Sequence, residues 1–459
     1  TFSQNLFPRL LPGPMLGIRH VQVIMLFFAM VICYTMRVNI SMAIVAMTDK
    51  DTEGSFEWSM QTQSIILSSF FWGYIVLQIP SGEMAAKFGG KILITICVAV
   101  NSAVSLLIPI GGWQVLCACR VLQGLSQGCL FPATHCLISK WVPIEEKSRL
   151  GTLIYGALQM MLSGFIADSW GWPAIFYVNG ALGAIWVTIY VFLGSDSPQK
   201  SKMIGNVEKL YVQTSLGQIG EQKVLKTPWK KLATSIPFLS LIVVHCGHNW
   251  GFWTLMTEMP SYMKRELDVD IKSNGILSAL PYFAMYMLSF PCGFISDYGL
   301  KKKWFSLNTS RKVSNSIGEF GPAIALIALC HSPPGDVTRA VGLLTVVVGL
   351  NAAHLTGFML VHIDMAPNFA GIMMGITKFF ANFVSISAPL IAGLILEDNY
   401  DFDEWHFVFY VTSGVYFVTN TVFIIFGTSA RQPWNDPDYV DSNPGKGEFI
   451  VSLVCEFSG

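Results

Sequence analysis

The chain has 459 residues, of which 52% are hydrophobic and only 13% are charged, about half the charged fraction of an ordinary soluble protein. The 29 basic residues balance the 29 acidic ones, which argues against a nucleic-acid-binding protein with its basic surface and against a charge-rich disordered chain. This composition predicts an integral membrane protein that has the lipid bilayer as its partner.

Twelve apolar stretches follow one another along the chain, and each is long enough to cross a bilayer, which takes about 20 residues of helix. Nine are uncharged, and three contain one charge each: Arg37, Glu319 or Lys378. In chain order they lie at 20–48, 57–83, 91–120, 120–140, 149–168, 168–196, 231–258, 272–297, 313–335, 339–364, 365–396 and 404–431. Long apolar blocks are typical of helices and not of β-barrel strands. We therefore predict an all-α membrane protein with twelve transmembrane helices.

Lysine and arginine are unevenly shared between the two sets of loops. With the N-terminus placed inside, 21 of the 29 basic residues fall in inner segments and five in outer loops. The other three, Arg37, Arg120 and Lys378, lie in or at the edge of spans. Because inner loops carry the excess of positive charge, both termini are predicted to be cytoplasmic. The plasma membrane and an endolysosomal or vesicle membrane are both open alternatives.

A polar stretch at 196–231 divides the spans into six and six. Pro80-Ser-Gly82 after the second span recurs as Pro291-Cys-Gly293 after the eighth. Such a repeat is the architecture of the major facilitator fold, which has one substrate site between two six-helix halves. The expected segments are an N-terminal segment 1–19, halves at 20–195 and 232–430, the linker 196–231, and a cytoplasmic tail 431–459.

The fifth span is short when compared with its counterpart in the second half. Gly151 to Gly164 covers fewer residues than the matching stretch from Gly371 to Gly393. Eighteen uncharged residues can still cross a thin bilayer. A transport-inactive isoform is therefore one hypothesis for this chain.

Several segments together resemble one family within the major facilitator superfamily. They are Tyr34-Thr-Met-Arg37-Val-Asn39, Trp72-Gly-Tyr74, the run from Arg120 to His135, Asn249-Trp-Gly-Phe-Trp and His362-Ile-Asp364-Met-Ala-Pro367. The family contains the sodium–phosphate cotransporters, sialin and the vesicular glutamate transporters, and the similarity runs from about residue 18 to 436. Within it the chain most resembles the inorganic phosphate cotransporters of invertebrates. The resemblance implies transport of an anion driven by sodium, protons or membrane potential.

Two arginines are the first candidates for binding that anion. Arg37 lies within the first span, where an arginine costs at least ~2.5–3.5 kcal/mol, so it is expected to meet an anion or to pair with an acid or carbonyl of another helix. A guanidinium can hold an oxyanion through two parallel hydrogen bonds. Arg120 opens the fourth span, where the superfamily also has an arginine. It is either a second cationic contact or an interfacial arginine that reaches outward.

Four further residues are predicted to bind substrate. His248 and Asn249 lie within the seventh span, and the position of His248 resembles an arginine of the glutamate-transporting members, which suggests a substrate other than glutamate. Lys378 stands where the family typically has Asn, and it could add charge to an anion cavity, pair with Glu319 or reach the surface. Tyr74 belongs to the second-span motif quoted above.

Five residues are candidates for coupling or gating. His135 matches a family histidine and could relay protons. Gln123 and Gln127 stand where proton-coupled relatives such as sialin have glutamates, which favours sodium coupling because glutamine cannot exchange a proton. Glu319 keeps a proton route open, and Asp297 resembles the superfamily's gating loop.

These residues lead to one preferred function and two alternatives. The preferred function is a secondary active symporter for inorganic phosphate or a small organic anion, with sodium as the coupled ion. The alternatives are a proton- or potential-driven carrier of acidic sugars or glutamate, and the inactive isoform. An enzyme, a cofactor and a metal centre are not expected, because the sequence shows no Cys-x-x-Cys, Walker or catalytic-triad pattern. We expect a monomer.

Overall fold

The computed structural model describes residues 14, 16–47, 56–58, 60–155, 172–216, 225–265, 267, 271–333, 335–395 and 402–436. Over these residues the chain forms helices joined by short connections, without a β-strand. The α-helices in chain order are α1 (Ile18–Met47), α2 (Met60–Val76), α3 (Gln78–Phe88), α4 (Gly90–Leu107), α5 (Trp113–Gln127), α6 (Leu130–Trp141), α7 (Lys147–Tyr155), α8 (Trp172–Leu193), α9 (Asn206–Leu216), α10 (Trp229–Thr234), α11 (Ile236–Arg265), α12 (Ile271–Lys301), α13 (Leu307–Cys330), α14 (Val337–Asn351), α15 (Phe358–Met365), α16 (Ala370–Ile395) and α17 (Phe402–Phe426).

Seven helical segments of the described chain are long and apolar enough to cross a membrane. They are Ile18–Arg37, Gly90–Ile110, Trp172–Leu193, Leu307–Cys330, Val337–Met365, Pro367–Ala388 and Glu404–Phe426. The remaining predicted spans correspond to other helices. The second is formed by α2 with α3, the fourth by α5 with α6, the start of the fifth by α7, the seventh by α11 and the eighth by α12. Most of the predicted fifth span falls at 156–171, which is outside the described residues.

Three predicted spans are each built from two helical pieces. The second span turns at Leu77, the fourth at 128–129, and the tenth passes through a 3-10 turn at Ala352–Leu355. Pro80 and Pro132 are the third residues of α3 and α6. A proline is tolerated there because the first turn of a helix needs no backbone N–H donor.

The helices pack in the same pattern within the two halves. In the first half α2 packs against α5, α4 against α8, and α1 against α8. In the second half the corresponding pairs are α12 with α14, α13 with α17, and α11 with α17. The two halves are therefore copies of one packing arrangement, as the sequence repeat predicts.

The two halves meet through two equivalent pairs of helices and through a further contact of α6 with α16. Helix α3 packs on α16, and α7 packs on α12. Both contacts lie at the end of the bundle that carries the linker helix α9, which packs beside the turn preceding α7; we call it the linker end. One buried apolar cluster runs across both halves there and includes Ala85, Cys136, Phe358 and Ile372. The halves are thus closed against each other at the linker end.

Candidate functional site

A cavity lies between the halves and takes its walls from both. Its volume is about 120 Å³, below the ~300–1,000 Å³ of sites for drug-sized ligands. Helices α1, α2 and α6 line one side, and α11, α12, the α14–α15 connection, α15 and α16 line the other. The polar lining residues are Tyr34, Arg37, Tyr74, His245, His248, Asn249, His354, Lys378 and Asn382.

Arg37 enters this cavity within a cage of aromatic rings. Its guanidinium carbon lies 4.7 Å from the ring centres of both Phe70 and Tyr74, 5.2 Å from Phe71 and 5.8 Å from Trp253. Ring faces at these distances stabilise a cation. Within the described residues no carboxylate lies within ion-pair distance of Arg37. The ring faces thus hold the guanidinium without neutralising its charge.

Lys378 brings a second cation to the cavity from the opposite half. Its Nζ lies 4.6 Å from the ring centre of Phe131, and it forms no ion pair with a described carboxylate. The predicted alternative of a pair with Glu319 is wrong, because Glu319 contacts His248 instead. Two uncompensated cations, one from each half, therefore share one small chamber, which makes the chamber attractive to anions.

Arg120 lies behind the cavity wall and does not line it. Its guanidinium donates to the backbone carbonyl of Arg37 at 3.2 Å and to Gln123 Oε1 at 3.3 Å, and it lies 4.8 Å from the ring centre of Phe70. Only 3% of the residue is exposed. In this arrangement Arg120 positions the part of α1 that carries Arg37, and it is not among the residues that line the cavity.

Gln123 and Gln127 belong to a buried hydrogen-bond network inside the first half. Gln127 Nε2 donates to the carbonyl of Cys33 at 3.0 Å and to Asn101 Oδ1 at 2.9 Å. Gln123 accepts the bond from Arg120 described above. Gln127 therefore joins α5 to α1 and α4, whereas the bond of Gln123 stays within α5, and neither amide lines the cavity.

His248 forms the most unusual contact of the cavity wall. Its Nδ1 lies 3.2 Å from Glu319 Oε1 on α13, and its ring centre is 3.8 Å from that of His354. Glu319 is fully buried, and its Oε2 has no hydrogen-bond partner in the described structure. A buried acid inside a membrane span is costly, and such residues commonly serve function. Two groups that can each carry a proton thus meet beside the two cations.

Asn249 and Tyr74, the other predicted substrate ligands, also line the cavity. Asn249 Nδ2 donates to Ser385 Oγ at 3.0 Å and to the carbonyl of Ala381 at 3.3 Å, so its amide joins α11 to α16. Tyr74 stacks on Phe70 at 5.4 Å. Asn382 lies on the same wall, and its Nδ2 is buried without a partner among the described residues.

His135 is buried in α6, outside the cavity lining. One ring nitrogen lies 3.3 Å from the carbonyl of Phe131 and the other 3.2 Å from the carbonyl of Met359 in the opposite half. The ring of His362 is 5.6 Å away. His135 therefore contributes to the contact between the halves below the cavity.

An ion cluster closes the linker end beneath the cavity. Asp364 accepts from Lys147 Nζ at 2.9 Å and from Arg311 Nε at 2.7 Å, and all three side chains are at most 4% exposed. Lys147 belongs to the first half, whereas Arg311 and Asp364 belong to the second. Arg311 also donates to Ser148 Oγ at 2.9 Å, again across the halves. We call these four residues the linker-end gate.

Asp297, whose predicted role in gating is still a prediction, lies beside this gate. Its carboxylate accepts from the backbone N–H groups of Ser148 at 3.0 Å and Arg149 at 2.8 Å. These two residues follow the turn at Ile144–Glu146, so a carboxylate of the second half caps the start of α7 in the first. A negative charge at the N-terminus of a helix is stabilising.

Close backbone contacts complete the closure. A Cβ at Gly82 in α3 would overlap the backbone of Ile372 in α16, and one at Gly375 would overlap the carbonyl of Gln78. Both positions therefore require glycine for α3 and α16 to approach this closely. Gly375 is part of the small-residue pattern Gly371-x-x-x-Gly375 that permits tight helix packing.

Sequence reasoning did not find the gate as a unit or His354 as the neighbour of His248. The available signal was indirect: Lys147, Arg311 and Asp364 are charged residues just outside apolar spans on the predicted inner side. Nothing in the spacing indicates that residues 217 positions apart, such as Lys147 and Asp364, form a pair.

Known proteins resemble this chain over most of its length. A family model described as the Major Facilitator Superfamily matches residues 26–389. A Drosophila ananassae protein named "Putative inorganic phosphate cotransporter" is 38% identical over 458 residues, which cover 92% of this chain and 95% of that protein. Sialin of Homo sapiens is 35% identical over 452 residues, which cover 91% and 90% of the two chains.

Solved structures give the same result for the fold. The proton:xylose symporter XylE matches with a TM-score of 0.68 at 13% identity, over 90% of this chain and 97% of that one. At such low identity the likeness concerns the fold alone. The prediction of an all-helical membrane fold with two related halves is thereby confirmed.

Proposed function

The chain belongs to the major facilitator superfamily, in the family of the inorganic phosphate cotransporters and sialin, and from this membership we propose that it is a symporter for inorganic phosphate or a small organic anion. It is an integral multi-pass membrane transporter and not an enzyme. The observation that carries the choice of an anion is the pair of uncompensated cations, Arg37 and Lys378, which face one small chamber from opposite halves.

The size of the chamber favours a small anion. A volume of about 120 Å³ suits a compact oxyanion better than a drug-sized ligand. Arg37 presents a fork that can hold two oxygens of such an anion, and Asn382 Nδ2 is a buried donor without a partner in the described structure. Phosphate, with oxygens on all sides, offers acceptors to Arg37, Lys378 and Asn382, which all line this chamber.

Alternating access follows from the closure of one end. With the linker end shut, we infer that substrate reaches the chamber from the opposite end. The predicted cytoplasmic location of both termini places the linker end in the cytoplasm, so this is the outward-facing form. Opening then requires the contacts of α3 with α16 and of α7 with α12 to separate. Transport by a monomer is part of this proposal.

Sodium is retained as the proposed coupled ion. Its support is the chemistry of Gln123 and Gln127, which cannot take up and release a proton. The amide nitrogen of Gln127 and the amide oxygen of Gln123 are engaged in hydrogen bonds within the first half. A proton-driven carrier is the second candidate, and the contact of His248 with Glu319 favours it. The inactive-isoform hypothesis concerns 156–171, outside the described residues, and the uptake experiment tests it directly.

The test is uptake of radiolabelled phosphate into proteoliposomes, with a sodium gradient in one arm and choline replacing sodium in the other. Arg37→Ala is expected to abolish uptake, whereas Arg37→Lys keeps the charge but loses the fork and is expected to retain part of it. Arg339→Ala, at the exposed start of α14, is the matched control. Undiminished uptake by Arg37→Ala would refute the proposed site, and no uptake of phosphate, sialate or glutamate by the wild type would favour the inactive isoform.

A further inference from the structure

The buried carboxyl of Glu319 is the one acidic group that the described residues place beside the cavity wall. It is 0% exposed, its Oε1 lies 3.2 Å from His248 Nδ1, and its Oε2 has no hydrogen-bond donor in the described structure. Ionisation of a carboxyl in such surroundings costs free energy unless both of its oxygens have partners. A single histidine, itself able to gain or lose a proton, leaves the pairing incomplete.

The surroundings of this pair are otherwise neutral or cationic. The titratable groups that face it are His245 on the same helix, His354 on the 3-10 turn and Lys378 on α16, together with the tyrosines of α12 and α17, Tyr282 and Tyr416. His354 is in ring contact with His248, and Lys378 lines the same chamber. These groups leave Glu319 as the only described source of negative charge at this wall.

The charge of the pair depends on the number of protons that it holds. With neutral His248 and ionised Glu319 its charge is −1, one additional proton makes it neutral, and a second makes it +1. Because the two groups are in contact, they take up protons as one coupled unit. An anion entering beside Lys378 is repelled by the −1 form and accepted by the neutral form. By linkage, the bound anion raises the affinity of the pair for a proton by the same factor.

We propose that Glu319 and His248 form a proton-binding site that couples the movement of one proton to the movement of the anion. This inference rests on the proposed anion transport at Arg37 and Lys378, and it adds a proton to sodium as a second coupled ion. A proton from water on the open side forms an O–H bond with the Glu319 carboxylate, and His248 Nδ1 holds that carboxyl. After the halves exchange access, the O–H bond breaks and the proton returns to water on the other side.

The test uses proteoliposomes loaded for two measurements: accumulation of radiolabelled phosphate driven by a pH gradient with equal sodium on both sides, and phosphate counterflow without any gradient. One proton per monovalent anion lets a one-unit pH gradient sustain about a tenfold accumulation. The wild type is expected to approach this value. Glu319→Gln is expected to accumulate no phosphate above equilibrium while still exchanging it, and Glu57→Gln, exposed outside the spans, is expected to match the wild type.

A second variant, His248→Gln, keeps the proposal testable if Glu319→Gln does not fold. This variant leaves the Glu319 carboxyl in place and supplies a glutamine N–H as its hydrogen-bond donor. It is expected to shift the pH at which accumulation is half-maximal, and an unchanged pH profile would overturn the inference. Accumulation by Glu319→Gln at the wild-type level would also overturn it. A wild type that shows counterflow and accumulates phosphate with a sodium gradient but not with a pH gradient would overturn the proton site and leave anion transport standing. Absence of both counterflow and accumulation in the wild type would overturn the proposed function itself.

Discussion

Replacing Asp364 by Asn is expected to open the linker end of the transporter. The Asp364 carboxylate neutralises both Lys147 and Arg311, and its side chain is 1% exposed. Asn keeps the volume but leaves two buried cations without a counter-charge. Removal of one partner from a buried ion pair costs about 3–5 kcal/mol, which is about 10²- to 10⁴-fold in an equilibrium constant at ~1.36 kcal/mol per tenfold. Opening the linker end exposes the two cations to water, so the cost falls on the closed form and shifts the equilibrium toward the open form.

Lys147→Gln provides the internal comparison. It breaks the ion pair between the halves, but Asp364 keeps Arg311 at 2.7 Å, so no charge is left unpaired. The loss is then closer to that of one hydrogen bond to a charged group, ~1.5–3 kcal/mol. The equilibrium constant for closing the linker end is expected to fall about 10- to 100-fold. This is less than in Asp364→Asn, although both variants break the contact between Lys147 and Asp364.

A native cysteine can report this opening. Cys136 lies in the buried contact between α6 and α16, is 8% exposed and donates to the carbonyl of Ala85. Its labelling by a membrane-impermeant maleimide, followed by mass spectrometry of the peptide, is expected to be fastest in Asp364→Asn, intermediate in Lys147→Gln and slowest in the wild type. The exposed Glu145→Gln should equal the wild type. The reasoning is refuted if Asp364→Asn is labelled no faster than the wild type, or more slowly than Lys147→Gln.

Three further results are expected. Gly375→Val, which forces a side chain against the backbone of α3, should speed the same labelling because overpacking costs ~1–3 kcal/mol, whereas Gly342→Ala, with open space around it, should not. Lys378→Gln should raise the phosphate concentration for half-maximal uptake by about 10- to 100-fold through the loss of one charged contact; an unchanged value would remove Lys378 from the site. Burial raises the pKa of Glu146, but the ion pair with Arg19 outweighs it and holds the pKa below the ordinary 4.5. The stability from this pair is therefore lost as pH falls through that lowered pKa, and the acid-induced fall in Tm should be smaller in Glu146→Gln.

The architecture was predictable because the bilayer imposes a simple rule on the sequence. Each crossing needs a long apolar helix, so uncharged runs mark the spans, and exceptions such as Arg37 and Lys378 mark places where a charge must face something other than lipid. The structure places both of these residues in the cavity. Their predicted roles in binding are still predictions that the uptake variants test.

The partners of these residues were not predictable in the same way. Arg120 was expected at the substrate, but its guanidinium donates to the carbonyl of Arg37, because α5 packs on α2 and α4 within the first half and not at the interface of the halves. Glu319 was one isolated acid in the sequence, and it comes to His248 because α11 and α13 both pack on the same helix, α17. Apolar periodicity indicates which residues cross the membrane, whereas it contains no information on which two helices share a contact.

The placement of charge suggests how substrate could move the halves. In the empty chamber Arg37 of one half and Lys378 of the other repel each other, and the chamber offers no described carboxylate between them except Glu319 behind His248. An anion that contacts both cations replaces this repulsion by two attractions, so it draws the halves together around the chamber. If they move as rigid bodies, the same rotation separates α3 from α16 and α7 from α12 at the linker end. The linker-end gate opposes that rotation, which means that it must be strong enough to stay closed without substrate and weak enough to yield once the two cations are bridged.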